Sequence, residues 1–124
     1  MTLTGTEGEP FFGEPRNVLR RVAARFAGLP LTPVLGTRIE FHLTERVKAG
    51  APQAPSDTAG LNDVLADIAE AAGVQDLPAA PPSPVSAPDH FMVELEPQAD
   101  AARAGDHAVF LRQIVRAVAR QNGI

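Results

Sequence analysis

The chain has 124 residues, a formal net charge of −4 and no cysteine, and 44% of its residues are hydrophobic. This length and composition are usual for one soluble globular domain, and the negative charge gives no reason to expect a nucleic-acid partner, because such binding draws on clustered lysine and arginine. The lack of cysteine excludes disulfides and thiolate chemistry and fits a cytoplasmic protein, while the lack of a long apolar run or a signal-peptide pattern predicts no membrane segment.

The first part of the chain predicts a loose N-terminus over 1–13, a helix over 15–27 and a strand over 33–44. The helix begins at a proline, which suits a first helical turn, and ends before a glycine. Its apolar residues recur at helical spacing: Val18, Leu19, Val22 and Phe26. Pro33 then favours extended backbone, and the β-branched and aromatic run that follows it is typical of a strand.

The predicted strand contains "VLGTRIEFHLTE", in which side chains alternate between two faces. One face carries Val34, Gly36, Arg38, Glu40 and His42. The other face carries Leu35, Thr37, Ile39, Phe41 and Leu43. The first face is titratable and the second is apolar. The first face is therefore a binding or catalytic site, the remnant of such a site, or an ordinary solvated surface.

A loop and a second helix are predicted next. Residues 46–60 are rich in glycine, proline and serine, and Asp57 or Thr58 could cap the helix that follows. One apolar stripe predicts that helix: Leu61, Val64, Leu65, Ile68 and Ala72. Gly73 is expected to end it.

The last third of the chain predicts an extended connector, a second strand and a long helix. The stretch "LPAAPPSPVSAPD", within a loop over 76–89, holds five prolines in thirteen residues, which excludes a helix or a central strand and predicts an extended, mobile connector. In "HFMVELEP" apolar and polar residues alternate, which indicates a half-buried strand. The final helix places its apolar residues on one face and ends near Gly123: Ala108, Leu111, Val115 and Val118.

The predicted class is α+β, with residues 1–124 forming one domain in which helices cover a small, mostly antiparallel sheet. Two strands bury little and leave their edges unpaired, so we expect further strands from the loops or from a second copy of the chain. Self-association is therefore predicted, with a twofold homodimer as the simplest form. The residues expected to be buried by the fold or by this interface are Leu111, Val115 and Val118.

Two long segments carry a family resemblance: "GEPRNVLRRVAARFAGLPLTPVLGTRIEFHLTE" and "DHFMVELEPQADAARAGDHAVFLRQIVRAVARQNG". They are similar to the helix-then-strand segment and to the second strand and following helix of the glutamine synthetase family, especially its branch that acts on glutamate and amines. The helix from Leu61 to Ala72 matches the family helix between them. The resemblance implies one strand-helix-strand-helix unit of the catalytic domain, preceded by a helix. It includes neither the family's preceding β-rich domain nor the following segment that supplies most nucleotide, phosphate and glutamate contacts, which implies half of a catalytic domain.

The resemblance also implies that the metal site of the family has been lost. Arg38 matches the first glutamate of the family's "ELEF", a divalent-metal ligand, and Glu40 matches the second. Met92 matches the metal-binding glutamate of "QFEINL", and Val85 lies near the position of a further one. A guanidinium repels a cation, and a thioether is a poor ligand for Mg²⁺ or Mn²⁺, so no metal or ATP is expected to bind unless a partner chain completes the site.

Two alternatives remain for the polar side chains of these strands. Arg38 with Glu40 and Glu94 forms either a structural ion-pair cluster, which we favour, or a site for an anionic small molecule. His42 and His90 with the same glutamates form either ordinary solvated strand residues, which we favour, or a rebuilt transition-metal site.

The leading functional hypothesis is a non-catalytic glutamine synthetase-like protein that assembles with itself or with a full-length synthetase. The first alternative is one subunit of a split ATP-dependent ligase that joins glutamate to ammonia or an amine, with Mg²⁺ or Mn²⁺ and ATP bound only when another chain completes it. The second alternative is a module that binds glutamate or an amine at the Arg38 face.

Overall fold

The computed structural model describes residues 3–44 and 58–124. Their elements are, in chain order, α1 (Pro15–Ala24) with a following 3₁₀ turn (Arg25–Gly28), β1 (Leu35–His42), α2 (Thr58–Val74), β2 (Ser83–Pro84), β3 (His90–Gln98) and α3 (Ala101–Gln121). The fold is α+β, as predicted. Most of the loop predicted over 46–60, with Asp57, lies outside the described residues.

The described chain divides into two compact units. One comprises residues up to Gly36 together with Pro97–Asp106, and the other comprises Thr37–Glu96 together with His107–Ile124. No helix within the described ranges is long and apolar enough to cross a membrane.

The sheet has three strands in the order β1-β3-β2, so β3 is central. The third strand comes from the proline-rich segment, where Ser83 pairs with Met92 and Pro84 with Phe91 in an antiparallel ladder. Proline is tolerated there because β2 is an edge strand that leaves its outer side unpaired. The prediction of an extended backbone from Leu77 therefore agrees with the structure as far as Val85, while 86–89 form a turn. The pairing of this segment with β3 was missed. That the segment is mobile stays a prediction.

The end of α2 differs from the prediction. Gly73 does not end the helix, which continues to Val74. The residue with left-handed backbone is Asp76, at φ 52°, and the N–H of Leu77 bonds the carbonyl of Ala72 while the N–H of Asp76 bonds that of Gly73. This is a Schellman ending in which aspartate, rather than the usual glycine, takes the left-handed position.

α3 ends as predicted. Gly123 has φ 78°, and Ile124 donates its N–H to the carbonyl of Ala119. At the other end of α3, Asp100 caps the first turn by accepting the N–H of Arg103 at 3.0 Å.

The core of the second unit joins one face of the sheet to α2 and α3. Its largest fully buried side chains are Ile68, Val93 and Leu111. The remaining buried members are Leu43, Leu61, Val64, Ala72, Phe91, Leu95, Val115 and Val118. Leu111, Val115 and Val118 are therefore buried within a single chain, in agreement with the expectation that the fold or an interface buries them. That they take part in an interface stays a prediction.

The first unit contains α1 and the start of α3. Glu14 caps α1 by accepting the N–H of Asn17 at 2.8 Å, and Arg16 forms an ion pair with Asp106 at 2.6 Å. A Cβ atom at Gly105 would lie 3.3 Å from Cδ2 of Leu19, so glycine permits this close approach.

A hydrogen-bonded turn occupies residues 3–11. The N–H of Gly5 bonds the carbonyl of Glu9, and that of Phe11 bonds the carbonyl of Leu3. Gly8 supplies the left-handed backbone that the turn needs, at φ 84°. The prediction of a loose N-terminus over 1–13 missed this turn.

Candidate functional site

The two long strands present a polar face opposite the core. Along β1 exposure alternates strictly, so that Arg38, Glu40 and His42 are exposed while Ile39 and Phe41 are partly buried against the core. This is the division into two faces that the sequence predicts. On β3 the same alternation buries Phe91, Val93 and Leu95 and leaves His90, Met92 and Glu94 on the polar face.

Arg38 pairs with its neighbour on the same face of β1. Its guanidinium Nη2 lies 3.0 Å from Oε1 of Glu40. Both side chains are substantially exposed, so the pair contributes little to stability, but it places a cation directly against the carboxylate. Glu94 lies on the same face without an ion pair among the described residues. Of the two predicted partners of Arg38, the structure selects Glu40.

His42 and His90 are stacked. Their ring centroids are 4.4 Å apart and their planes are inclined by 13°. β1 ends at the first of these residues and β3 begins at the second, and the N–H of Leu43 bonds the carbonyl of Asp89 at 3.0 Å. The antiparallel arrangement of the two strands therefore brings the histidines together at one end of the sheet.

Each imidazole has its own carboxylate. Nδ1 of His42 lies 3.4 Å from Oδ2 of Asp89, and Nε2 of His90 lies 3.4 Å from Oε2 of Glu40. Nδ1 of His90 is also 3.0 Å from the hydroxyl of Ser86. Asp89 and Ser86 were not predicted from the sequence. The only hint in the sequence was that both residues lie just before β3. That hint could be used only by knowing which strand lies beside β3.

These contacts link six side chains into one cluster of basic, acidic and hydroxyl groups. We call it the Glu40 cluster: Arg38, Glu40, His90, Ser86, His42 and Asp89. Glu40 is at its centre, because one carboxylate oxygen faces the guanidinium and the other faces an imidazole. Both oxygens are thus engaged by groups that are positive or can become positive. Such a carboxylate is a poor ligand for a divalent cation.

The described residues give no support to a rebuilt metal site. Over 3–44 and 58–124, no group of three or more histidine, aspartate or glutamate side chains is arranged to hold a metal ion. His42, His90 and Glu40 are near each other, but their nitrogen and oxygen atoms face one another and Asp89 rather than a common centre.

The two remaining family-implied ligand positions hold apolar side chains. Met92 is half-buried on the polar face of β3, opposite Ser83 of β2. Val85 is exposed, and its N–H donates to the carbonyl of His90 at 2.9 Å. Neither side chain brings an oxygen or nitrogen to the sheet face.

A comparison with protein-family models identifies the family of the chain. The family model described as the glutamine synthetase catalytic domain matches residues 12–124. The chain belongs to the glutamine synthetase catalytic-domain family. The resemblance on which the metal-ligand positions were assigned is thereby confirmed at the level of the family.

Known relatives give the extent of the match. γ-Glutamylputrescine synthetase PuuA of Escherichia coli (strain K12) is 30% identical over 141 residues, covering 98% of this chain and 30% of that protein. A solved structure described as "GmaS/ADP complex-Conformation 1" matches with a TM-score of 0.74 and 26% identity, over 94% of this chain and 29% of that one.

A second solved structure supports the fold alone. It is described as "Crystal structure of novel glutamine synthase homolog" and matches with a TM-score of 0.72 and 22% identity, over 98% of this chain and 29% of that one. The glutamine synthetase-like chain thus spans less than a third of the length of these three relatives.

Proposed function

We propose that this chain is a non-catalytic glutamine synthetase-like protein, which acts by assembling with itself or with a full-length synthetase. The observation that carries the proposal is the ion pair between Arg38 and Glu40, at 3.0 Å. By resemblance these two positions correspond to a pair of glutamates, of which the first binds a divalent metal. A guanidinium there repels a metal cation and engages the neighbouring carboxylate.

The other implied ligand positions support the same conclusion. Met92 offers a thioether, which is a soft and weak ligand for the hard cations Mg²⁺ and Mn²⁺. Val85 offers no ligand atom. Three metal-ligand positions have thus lost their carboxylates, which supports a loss of catalysis more strongly than one isolated substitution would. We therefore infer that the chain binds neither metal nor ATP by itself.

Exposed apolar side chains support a role in assembly. On the described surface, Phe12, Val74, Val109 and Phe110 are each more than half exposed. Single exposed apolar residues are ordinary, but Val74 and Phe110 line one groove, which is the kind of surface that associating proteins bury. The proposal keeps the cytoplasmic location expected from the cysteine-free sequence.

A split ligase is the second candidate. One observation favours it: carboxylates persist on the polar face at Glu40 and Glu94. The relatives include a γ-glutamylputrescine synthetase and a structure described as an ADP complex. In this case a second polypeptide would bring the nucleotide-binding part, and the pair would join glutamate to ammonia or an amine.

Two measurements test the proposal. The first is phosphate release from ATP by the purified chain with Mg²⁺ or Mn²⁺, glutamate and either ammonia or putrescine, with E. coli γ-glutamylputrescine synthetase as the positive control. We expect no release that depends on both glutamate and the amine, and such release from the chain alone would overturn the proposal.

The second measurement is association. Native mass determination and co-purification with a full-length glutamine synthetase homologue should reveal an assembly of the chain with itself or with that protein. A chain that stays monomeric and captures no synthetase would contradict the proposal. Ligation that appears only after a second polypeptide is added would instead establish the split ligase.

A further inference from the structure

An open groove of about 650 Å³ lies between α2 and α3. Its apolar lining includes Val74 and Phe110, whose side chains are 74% and 54% exposed, together with Ile114. Asp67 and Glu70 make its α2 side acidic, and no lysine or arginine belongs to the described lining. The groove therefore suits a helix that combines apolar side chains with positive charge.

A surface of that kind lies on α1 of the same chain. Arg21, Val22 and Arg25 lie three, four and seven residues after Val18, so the four residues share one stripe of α1 and its 3₁₀ turn. All four are exposed in the described chain, with the valines at 40% and 47%. We call these four residues the α1 stripe.

The positions of the charges in the α1 stripe are partly fixed. The guanidinium of Arg21 donates to the carbonyl of Phe12 at 3.0 Å and lies 4.2 Å from the centre of the Phe12 ring. These two contacts hold the guanidinium beside Phe12. α1 and its 3₁₀ turn contain no acidic residue, so the stripe is uniformly basic.

We propose that the α1 stripe of one copy docks into the α2–α3 groove of a second copy. This rests on the self-assembly part of the proposed function and supplies its contact. The two arginines face Asp67 and Glu70, while the two valines cover Val74, Phe110 and Ile114. A second copy is the occupant that the charges favour, because both complementary surfaces belong to this one sequence.

The contact joins two different surfaces of the chain rather than one surface to itself. It is therefore heterologous, and it leads to a ring or an open chain unless two copies can exchange both contacts. Leu111 and Val115 do not line the groove and are buried in the core of a single chain, whereas Val118 belongs to that core and also lines the groove.

Charge reversal tests the docking by sedimentation velocity over a range of concentrations. Arg21→Glu with Arg25→Glu, and separately Asp67→Arg with Glu70→Arg, should each weaken self-association by about tenfold or more. An equimolar mixture of the two variants should regain association, because the reversed α1 stripe then meets a reversed groove. Mere loss of folding cannot produce that recovery.

The control reverses two other exposed arginines, Arg112→Glu with Arg116→Glu, which line neither surface and should leave association unchanged. Two single variants that leave the charge unchanged, Val22→Ser and Phe110→Ser, should each weaken association. Circular dichroism verifies the fold of every variant. Association that all variants retain would overturn the docking but leave assembly, and the proposed function, intact.

A wild-type chain that stays monomeric would also overturn the docking. Co-purification with a full-length synthetase in that case would preserve the proposed function through its other partner. The two failures are therefore distinguishable.

Discussion

His42 and His90 are separated by 47 residues of sequence, yet their rings are stacked with centroids 4.4 Å apart and planes inclined by 13°. The stack links the end of β1 to the beginning of β3. Each ring also faces a carboxylate, Asp89 or Glu40, at 3.4 Å. The contact is therefore part of the pairing between the two strands and is open to test by stability measurements.

The two histidines should contribute unequally. The side chain of His90 is 15% exposed and that of His42 is 56% exposed, so His90→Ala should lower the free energy of unfolding more than His42→Ala. Ring stacking is worth roughly 0.5–1.5 kcal/mol, and we expect a coupling at the lower end of that range in a double-mutant cycle. Urea unfolding of the four proteins measures it. A coupling near zero would mean that the rings are neighbours without a mutual interaction.

A second prediction concerns the core. Leu111 is fully buried, at 0% exposure, so Leu111→Ala should lower the free energy of unfolding by about 2–5 kcal/mol through lost burial and a residual cavity. Val109 is exposed on the same helix, and Val109→Ala is the control, with an expected change within about 0.5 kcal/mol.

Chemical denaturation at two protein concentrations distinguishes this from an interface effect. A loss of stability that vanishes at low concentration would place Leu111 between chains. A loss that is independent of concentration would agree with its place in the core of one chain.

The sequence was sufficient where one local pattern decides the structure. Alternation along β1 is dictated by the geometry of an extended chain, so the separation of Arg38 and Glu40 from Ile39 and Phe41 could be read directly. Heptad-like apolar spacing likewise identified α3. These predictions depend on neighbours in sequence and need no knowledge of the fold.

The sequence was insufficient where distant segments decide the structure. Pairing of the proline-rich segment as β2 depends on backbone groups of β3 that it meets only in the folded chain. The contact between His42 and His90 depends on which strands are adjacent. The end of α2 was misassigned because Gly73 fits the usual signal, whereas Asp76 takes the left-handed position beyond it.

The two glycines near helix ends yield a third prediction with opposite signs. Gly73 lies inside α2, faces open space and lacks a positive φ, so Gly73→Ala should raise the free energy of unfolding by up to about 1 kcal/mol. Gly123 has φ 78°, where a Cβ is strained, so Gly123→Ala should lower it by about 1 kcal/mol. Thermal melts of both variants against the wild type measure the difference. A Gly73→Ala variant less stable than the wild type would contradict the assigned end of α2.

The final prediction restores the carboxylates that the resemblance implies. Arg38→Glu with Met92→Glu removes the cation from Glu40 and places additional carboxylates on the polar face shared by β1 and β3. Carboxylate oxygens are the ligands that Mg²⁺ and Mn²⁺ prefer, so the double variant should bind Mn²⁺ more tightly than the wild type does. Isothermal titration and the electron paramagnetic resonance signal of free Mn²⁺ both measure this.

The matched control is Arg112→Glu, which makes the same change in charge as Arg38→Glu at an exposed position of α3. It should leave Mn²⁺ binding as weak as in the wild type. Equal Mn²⁺ affinity in the wild type and the double variant would show that Arg38 and Met92 are not what prevents metal binding, and the proposal of a site lost by substitution would fail.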